Sequence, residues 1–486
     1  MMMLPSDATP QDRFAVNMAV LLRNDLPAYV HRAFLELHPG ERYLPAFYIR
    51  AICHQLERVE RGEVRRLLIL LPPRHLKSHC ASVAFSTWFL GRHPTQSVIG
   101  ASYNADLAQS FSGQARRLIE APWHRAVFPD LALDPRKASV EELRLRHHGG
   151  RRLATSVGGT LTGKGANVII IDDPMKADDA FSEARRDDVF GWITSTVVSR
   201  FDDPKTGALI VVAQRLHVDD LPGRLIAAGG WEVLELPAIG TVATQIDIGV
   251  GLVWPRAQGE LLHSERIDKA TLDQIRHELG ATAFESQYQQ RPAPAEGNLI
   301  RTEWFGAYEK ALPRSQYEAV IQSWDPAAVP GNSNDYSVCT TWGLIGNHID
   351  LLHLHRERHG FPDLQRAALQ LRQSWTPNLL VIESSHTGIA LWQELQKRGF
   401  REARGYSPRG TKEERMPALT PMLERGEVRL PRSSSWRDAF LEECGQFPNG
   451  KYDDQVDTLS QMLYAVRRGA SLAELRYLSR YKKTAT

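Results

Sequence analysis

Residues 67–78 read Leu-Leu-Ile-Leu-Leu-Pro-Pro-Arg-His-Leu-Lys-Ser. An apolar strand runs into a tight turn that ends in Lys77-Ser78, and a helix-compatible run follows. A strand, turn and helix in this order make an NTP phosphate site. Backbone N–H groups and the helix N-terminus face the phosphates, a lysine meets the β/γ oxygens and a hydroxyl binds Mg²⁺. Lys77 and Ser78 fill the last two positions of G-x-x-x-x-G-K-[ST], while Leu71 and Leu76 stand at its two glycine positions. Downstream, Val168-Ile-Ile-Ile-Asp172-Asp173 is an apolar run ending in two carboxylates. The first can hold Mg²⁺ through water and the second can orient an attacking water. Ala208–Ala213 ends in Gln214, placed to sense a γ-phosphate, because ligands of parallel sheets sit at strand carboxyl ends.

A closer literal match to the phosphate loop is Gly158-Gly-Thr-Leu-Thr-Gly-Lys164-Gly165. It lacks the terminal hydroxyl, and a strand rather than a helix follows it. The expectation is a surface loop whose Lys164 contacts DNA or a neighbouring subunit.

A second chemistry is written further along. Asp325 ends the apolar run Val320–Trp324, Glu383 ends Leu379–Ile382, and Asp453-Asp454-Gln-Val-Asp457 opens a helix. Phosphodiester cleavage by two Mg²⁺ ions needs several carboxylates converging from separate elements, with the metals about 4 Å apart. Oxygen ligands suit hard Mg²⁺ or Mn²⁺. Asp454 and Asp457 share a helix face, and which member of this cluster holds metal is left open. No His/Cys grouping has zinc spacing. No G-x-S-x-G is present, so a serine nucleophile has no support.

The elements that must carry these residues alternate. Residues 13–62 read as helical, with Phe47, Ile49, Ile52, Leu56 and Val59 on one buried stripe. Strands are expected at Val64–Leu71, Ser97–Ser102, Leu153–Val157, Val168–Asp172 and Ala208–Ala213. Helices are expected at His79–Leu90, Ala105–Glu120 and Ser182–Val198. This is α/β, a mainly parallel sheet covered on both faces. Residues 241–315, with Arg291-Pro-Ala-Pro-Ala-Glu-Gly297, read as a connector. A second α/β unit follows: a meander at Val320–Trp324, Ser337–Leu344 and Ile349–His355, then a strand at Leu379–Glu383. Helices accompany it at Asp363–Ser374, Gly388–Arg398, Lys412–Arg425 and Gln455–Arg467. The expected domains are 1–240, 316–470 and a basic tail over 471–486.

The chain has 486 residues, 24% of them charged, and a net charge of +2. Any nucleic-acid contact must therefore come from local patches, with Arg116-Arg117, Arg151-Arg152, Arg356/Arg358 and Arg480–Lys483 as candidates. Four scattered cysteines, Cys53, Cys80, Cys339 and Cys444, suggest a reducing compartment. No apolar run reaches the ~18 residues of a membrane span, and no secretory signal is expected over residues 1–12.

Seven segments in order, Pro72–Ser78, Ala101–Leu107, Ile169–Pro174, Gln287–Pro292, Ser323–Asp325, Asn334–Val338 and Asp453–Asp457, resemble the large terminase subunit of tailed phages and prophages. The resemblance implies an N-terminal P-loop ATPase domain and a C-terminal RNase H-like nuclease domain. It implies ATP and one Mg²⁺ at Arg74, His75, Lys77, Ser78, Asp172 and Gln214, with Asp173 as catalytic carboxylate where the family usually has glutamate. At the nuclease it implies two Mg²⁺ or Mn²⁺ ions on Asp325, Glu383 and Asp454 or Asp457. Leucine at 76 replaces a glycine, so this turn is expected to use ordinary backbone angles. Implied partners are double-stranded DNA, the procapsid portal protein, a small terminase subunit and further copies in a docked ring, with a monomer in solution and no membrane. The implied setting is the host bacterial cytoplasm, docked transiently at the portal vertex and absent from the mature virion. Two other classes fit parts of the pattern: a repair helicase-nuclease, and a degenerate prophage protein that only binds DNA.

Overall fold

The computed structural model describes residues 9–161, 163–292, 299–326, 336–407, 411–450 and 452–467. Parts of the expected connector, of Asn334–Val338 and all of the basic tail lie outside them. The chain forms two compact units, residues 1–276 with 282–294, and 277–281 with 295–486.

The first unit is built on an eight-stranded sheet. Its strands are β1 (Arg66–Leu70), β2 (Ser97–Ser102), β3 (Leu133–Ala138), β4 (Glu142–Leu145), β5 (Arg151–Ser156), β6 (Val168–Asp172), β7 (Ala208–Ala213) and β8 (Glu232–Glu235). They lie in the order β3-β4-β5-β2-β6-β7-β1-β8. The run from β5 to β8 is parallel, and β4 and β3 extend one edge antiparallel. Apolar residues occupy consecutive positions of β1, β6 and β7 because both faces are covered. Leu67, Ile69, Ile170 and Val212 pack on one side, and Leu68, Leu70, Ile171 and Val211 on the other. Three helices, Pro10–Asn24, Leu26–Leu37 and Phe47–Glu60, precede the sheet. The expected stripe on the third holds for Ile49, Ile52, Leu56 and Val59, but Phe47 is 55% exposed, its ring stacked on Trp254.

Much of the expected connector belongs to the first unit. It contains the hairpin β9 (Thr244–Asp247) and β10 (Val253–Arg256) and the helices Lys269–Leu279 and Ala281–Gln287. Tyr288, Gln289 and Gln290 are buried.

The second unit has seven strands: β11 (Gly306–Tyr308), β12 (Ala319–Asp325), β13 (Ser337–Ile345), β14 (His348–Glu357), β15 (Leu379–Glu383), β16 (Ala403–Tyr406) and β17 (Val428–Pro431). Their order is β11-β17-β14-β13-β12-β15-β16. The meander β12-β13-β14 is antiparallel, and β15 and β16 add in parallel beside β12. The helix Asp454–Arg467 packs Val456, Leu459, Met462 and Leu463 on one face, against Ile321, Trp342 and Val381. Helices Phe361–Trp375 and His386–Lys397 cover the other, where Trp324, Cys339 and Ile382 meet Leu364 and Leu391. Among the described residues, no helix is long and apolar enough to cross a membrane.

This unit begins before residue 316. Ile300 is 1% exposed in its core, β11 pairs with β17, and the Tyr308 hydroxyl donates to the Leu351 carbonyl at 2.6 Å. A fragment of residues 299–486 should therefore be more stable to urea than one of residues 316–486. The lost burial of Ile300 alone costs about 1.5–3 kcal/mol, before the edge strand is counted. Equal urea midpoints for the two fragments would exclude residues 299–315 from the domain.

Candidate functional sites

The nucleotide loop leaves β1 at Leu70, and a helix starts at Lys77 and runs to Arg92. The loop does not use ordinary backbone angles, contrary to the expectation from Leu76. Arg74 has φ +63° and Leu76 +58°, left-handed values that cost a non-glycine residue of order 1–3 kcal/mol each. The neighbours that hold these angles are visible. Arg266 Nε donates to the Arg74 carbonyl at 2.7 Å. His75, expected among the nucleotide contacts, is instead buried under the loop, where its Nδ1 lies 2.8 Å from the Pro73 carbonyl and its ring meets Tyr48 edge-on. Burial drives the His75 pKa down to about 4. The Arg74 side chain is exposed at the turn.

The Lys77–Arg92 helix is wound wide over His79–Phe85, a distortion frequent at functional sites. Ser78 Oγ donates to Asp172 Oδ1 at 3.1 Å, and Ser82 Oγ to Asp172 Oδ2 at 2.5 Å. Lys77 Nζ lies 2.8 Å from Asp173 Oδ1. Asp173 also has a positive φ, +45°. Its neighbours around one small cavity include Gln214 and Asp220. Asp172 is pushed up to about 7, first by burial and then by the charge of Asp173, with Ser82 and Lys77 opposing.

Arg152, expected in a surface patch, lies at 1% exposure. Its guanidinium donates to the Ser82 carbonyl at 3.1 Å and to Ser86 Oγ at 3.3 Å. A Cβ at Gly100 would sit 3.0 Å from Arg152 Nη2, so glycine there makes room for the cation. A cation in the sequence is ordinarily read as exposed, and no local pattern marks this one as internal. Ser82, Arg266 and Gln290, whose Oε1 accepts from the Arg215 N–H at 3.0 Å, were also missed. Lys164 is exposed on the loop between β5 and β6, away from the Lys77 helix in sequence and followed by a strand.

In the second unit Asp325, Glu383 and Asp457 converge, their ligand oxygens all within 4.8 Å of one another. Asp325 ends β12, Glu383 ends the adjacent parallel strand β15, and Asp457 lies in the first turn of the helix packed over them. Gly388 is needed in this arrangement, because a Cβ there would fall 1.8 Å from the Glu383 carbonyl oxygen. The helix of which it is part can start directly beneath the strand end for that reason. Asp454 does not belong to the convergent group. It is pushed up to about 6 by burial and by Glu443.

Burial, the charge of Asp457 and that of Glu383 raise Asp325 well above the usual carboxylate range. Burial pushes Asp457 up to about 7, against the pull of Lys412. Lys412 contacts Asp457 and lies 2.8 Å from Asp453, and Arg415 lies 3.3 Å from Asp457. Those two cations come from a helix that was expected to run on to Arg425. It is broken after Arg415, and their role was not legible from charge alone. Oxygen donors at this spacing fit hard divalent cations. The hydroxyl of Ser78 beside Asp172 fits one as well.

The architecture therefore combines a parallel nucleotide-type sheet with a carboxylate-bearing mixed sheet. Residues 322–465 match the family model of the terminase RNaseH-like domain, so this segment belongs to that family. Over the whole chain the fold is that of the large terminase from a thermophilic bacteriophage, solved in several crystal forms. One form gives a TM-score of 0.52 at 8% identity, covering 85% of this chain and 98% of that one. Another, in complex with ADP, gives 0.51 at 9% identity, covering 85% and 99%. The large terminase nuclease of a second thermophilic phage, G20c, with bound magnesium covers 35% of this chain and 98% of its own, at 17% identity and a TM-score of 0.28. No curated protein matches the chain in sequence. The family model and the structural matches support a large terminase subunit, with an RNaseH-like C-terminal domain.

Two expectations follow from the site geometry. Asp325 and Asp457 have raised values in the fold and ordinary ones when unfolded. Their neutral forms favour the fold at low pH, and that stability is lost as pH rises from about 4 through about 7 without metal. Asp325→Asn deletes one of the crowded charges. In metal-free buffer at about pH 8 it should raise stability by about 1 kcal/mol, or ~2–4 °C in Tm. The gain should vanish near pH 4. A lower Tm for the variant at the higher pH would contradict the crowding.

The second concerns Leu76. Glycine takes its φ of +58° freely, whereas a β-branched residue there is a severe outlier. Leu76→Gly should keep ATP turnover within about 3-fold, and Leu76→Val should lower it by 10-fold or more, on the order of the ~1–3 kcal/mol of strain involved. The reverse ranking would show that the left-handed angle does not matter to the site.

Proposed function

We propose that this chain is a DNA-packaging motor, in which the first domain hydrolyses ATP to translocate double-stranded DNA and the second cuts concatemeric DNA with divalent metal ions. The observation that carries the reading is the presence on one chain of the converging acids Asp325, Glu383 and Asp457 and of the Ser78–Asp172 pair at a strand-loop-helix.

At the first site, the Lys77 helix N-terminus offers N–H groups to phosphate oxygens. Lys77, now on Asp173, swings to the β/γ oxygens when nucleotide arrives, and the Asp173 carboxylate is released to orient water. Gln214, on the same cavity as Asp173, reads the γ position. Arg74 reaches the phosphates from the exposed turn. Ser78 and Asp172 would hold Mg²⁺, which when bound neutralises charge on the phosphates. The thermophilic-phage large terminase solved with ADP supports a nucleotide at this domain.

At the second site, Asp325, Glu383 and Asp457 would hold Mg²⁺ or Mn²⁺, which supply Lewis acidity and an activated water. Lys412 and Arg415 neutralise Asp457 until then. Contacts to DNA go mainly to phosphates, so they carry little sequence information. Lys164, exposed on its loop, contacts DNA or a neighbouring copy. Cutting-site choice comes from a small terminase subunit. The protein works as a ring on the portal of a procapsid, in the cytoplasm of a bacterial host.

The two activities should separate. Lys77→Ala should abolish ATP hydrolysis and leave metal-dependent plasmid cleavage intact. Glu383→Gln should reduce cleavage by about 100-fold or more, the scale for losing one key charge-stabilising group, and leave ATP hydrolysis unchanged. Both rates are measured on the full chain. Normal hydrolysis in Lys77→Ala, or normal cleavage in Glu383→Gln, would remove the corresponding site from the reading.

A further inference from the structure

Strand β14 ends in His355-Arg-Glu357, and Arg358-His359 follow before the helix Phe361–Trp375. Side chains alternate along extended backbone. Arg356 and Arg358 accordingly fall on one side, both over the Tyr336 ring at 4.3 and 4.6 Å. His355, Glu357 and His359 fall on the other. Their ligand atoms all lie within 4.8 Å of one another. The two imidazoles are stacked, centroids 5.1 Å apart and planes 12° from parallel. Their Nε2 atoms are 2.8 Å apart, and Glu357 Oε2 is 3.6 Å from His359 Nε2.

Two ring nitrogens this close cannot both carry a proton, so at least one presents its lone pair to the other. Burial lowers His355 from its ordinary value and keeps its ring neutral. The donors are poised at a surface opening: the His359 side chain is 11% exposed, that of Glu357 64%. A metal held at 2.0–2.1 Å by two imidazoles and a carboxylate in tetrahedral geometry needs its donors about 3.3 Å apart. The observed 2.8 and 3.6 Å bracket that value. The site is distinct from the carboxylate triad. His355 meets the Trp324 ring, and Trp324 packs on the face of the sheet covered by Phe361–Trp375. Asp325, one residue on, points to the opposite face. The donor chemistry differs too. All-oxygen sites take hard ions, whereas imidazole with carboxylate suits borderline ones.

We propose that His355, Glu357 and His359 form a second metal site on the RNaseH-like domain, for a borderline divalent cation such as Zn²⁺. A bound ion ties the end of β14 to the residue before Gly360. It thereby fixes the backbone from which Arg356 and Arg358 reach Tyr336. The spacing escapes a zinc-finger reading because His-x-Glu-x-His converges only on an extended strand.

The test uses the full chain carrying Asp325→Asn, which weakens the carboxylate site. Co²⁺ titrated into it should give the visible absorption of a tetrahedral ion without thiolate ligands, Zn²⁺ should displace it, and Zn²⁺ should raise the Tm. His359→Gln should weaken Co²⁺ binding by at least ~10-fold, as should Glu357→Gln, whose exposed side chain the fold does not need. Plasmid cleavage by the parent chain plays no part in this readout, so the nuclease reading stands or falls separately. No tetrahedral spectrum at micromolar Co²⁺, or an unchanged one in Glu357→Gln, would overturn the proposal. Should His359→Gln unfold, the Glu357→Gln titration decides.

Discussion

Burying carboxylates beside one another is the constraint around which both domains are arranged. Two unit charges about 4 Å apart at an effective dielectric of 20 interact by about 4 kcal/mol, and removing each from water adds a further cost. Asp172 beside Asp173, and Asp325 beside Glu383 and Asp457, meet that cost in the same way. Each group sits at the carboxyl end of a strand or in the first turn of a helix, and each cluster has cations or hydroxyls against it. Lys77, Ser78 and Ser82 attend the first, and Lys412 and Arg415 the second. The offset is incomplete, which is why Asp172 and Asp457 both rise to about 7. An incomplete offset is a thermodynamic demand for a divalent cation, since the ion removes a repulsion the fold has left standing.

Arg152 extends the argument behind the first cluster. A guanidinium at 1% exposure costs several kcal/mol of desolvation unless its donors are used. Ser82 supplies both ends of the accommodation, its carbonyl accepting from Arg152 and its hydroxyl donating to Asp172. The wide winding of the helix at His79–Phe85 is the region that presents both groups. Position, charge and helix geometry are thus one coupled feature, and a change at any of the three alters Asp172.

What the sequence could show follows from range. Central strands were legible as apolar runs, with Val168–Asp172 and Ala208–Ala213 matched to the residue, because burial on both faces leaves no polar alternation. The acids at their ends were legible for the same reason, as an abrupt change from apolar to charged. Edge strands such as β3, β8 and β11 are short and half exposed, and they carry no such contrast. Arg152, Ser82 and Lys412 act on partners 20 to 90 residues away, and no spacing within the chain marks them. Asp454 and Asp457 were equivalent by helix face. Only the third dimension separates them, Asp457 toward Asp325 and Asp454 toward Glu443.

The glycine-poor loop is the instructive error. Leucine at 76 argues for ordinary backbone angles on conformational energy alone, and the fold overrules it. Three residues around the first site, Arg74, Leu76 and Asp173, hold positive φ, at a summed cost of order several kcal/mol. Such strain persists only where packing over-determines it. Here the determinants are the Arg266–Arg74 hydrogen bond, the buried His75 beneath the turn and the Lys77–Asp173 pair. Two of these three sit on residues a nucleotide would touch. A ligand that draws Lys77 from Asp173 also removes one of the constraints that hold the angle at Asp173. Binding and backbone relaxation at the strand end are in this way the same event, and glycine at position 76 would weaken that link by letting the loop adopt its shape without being held.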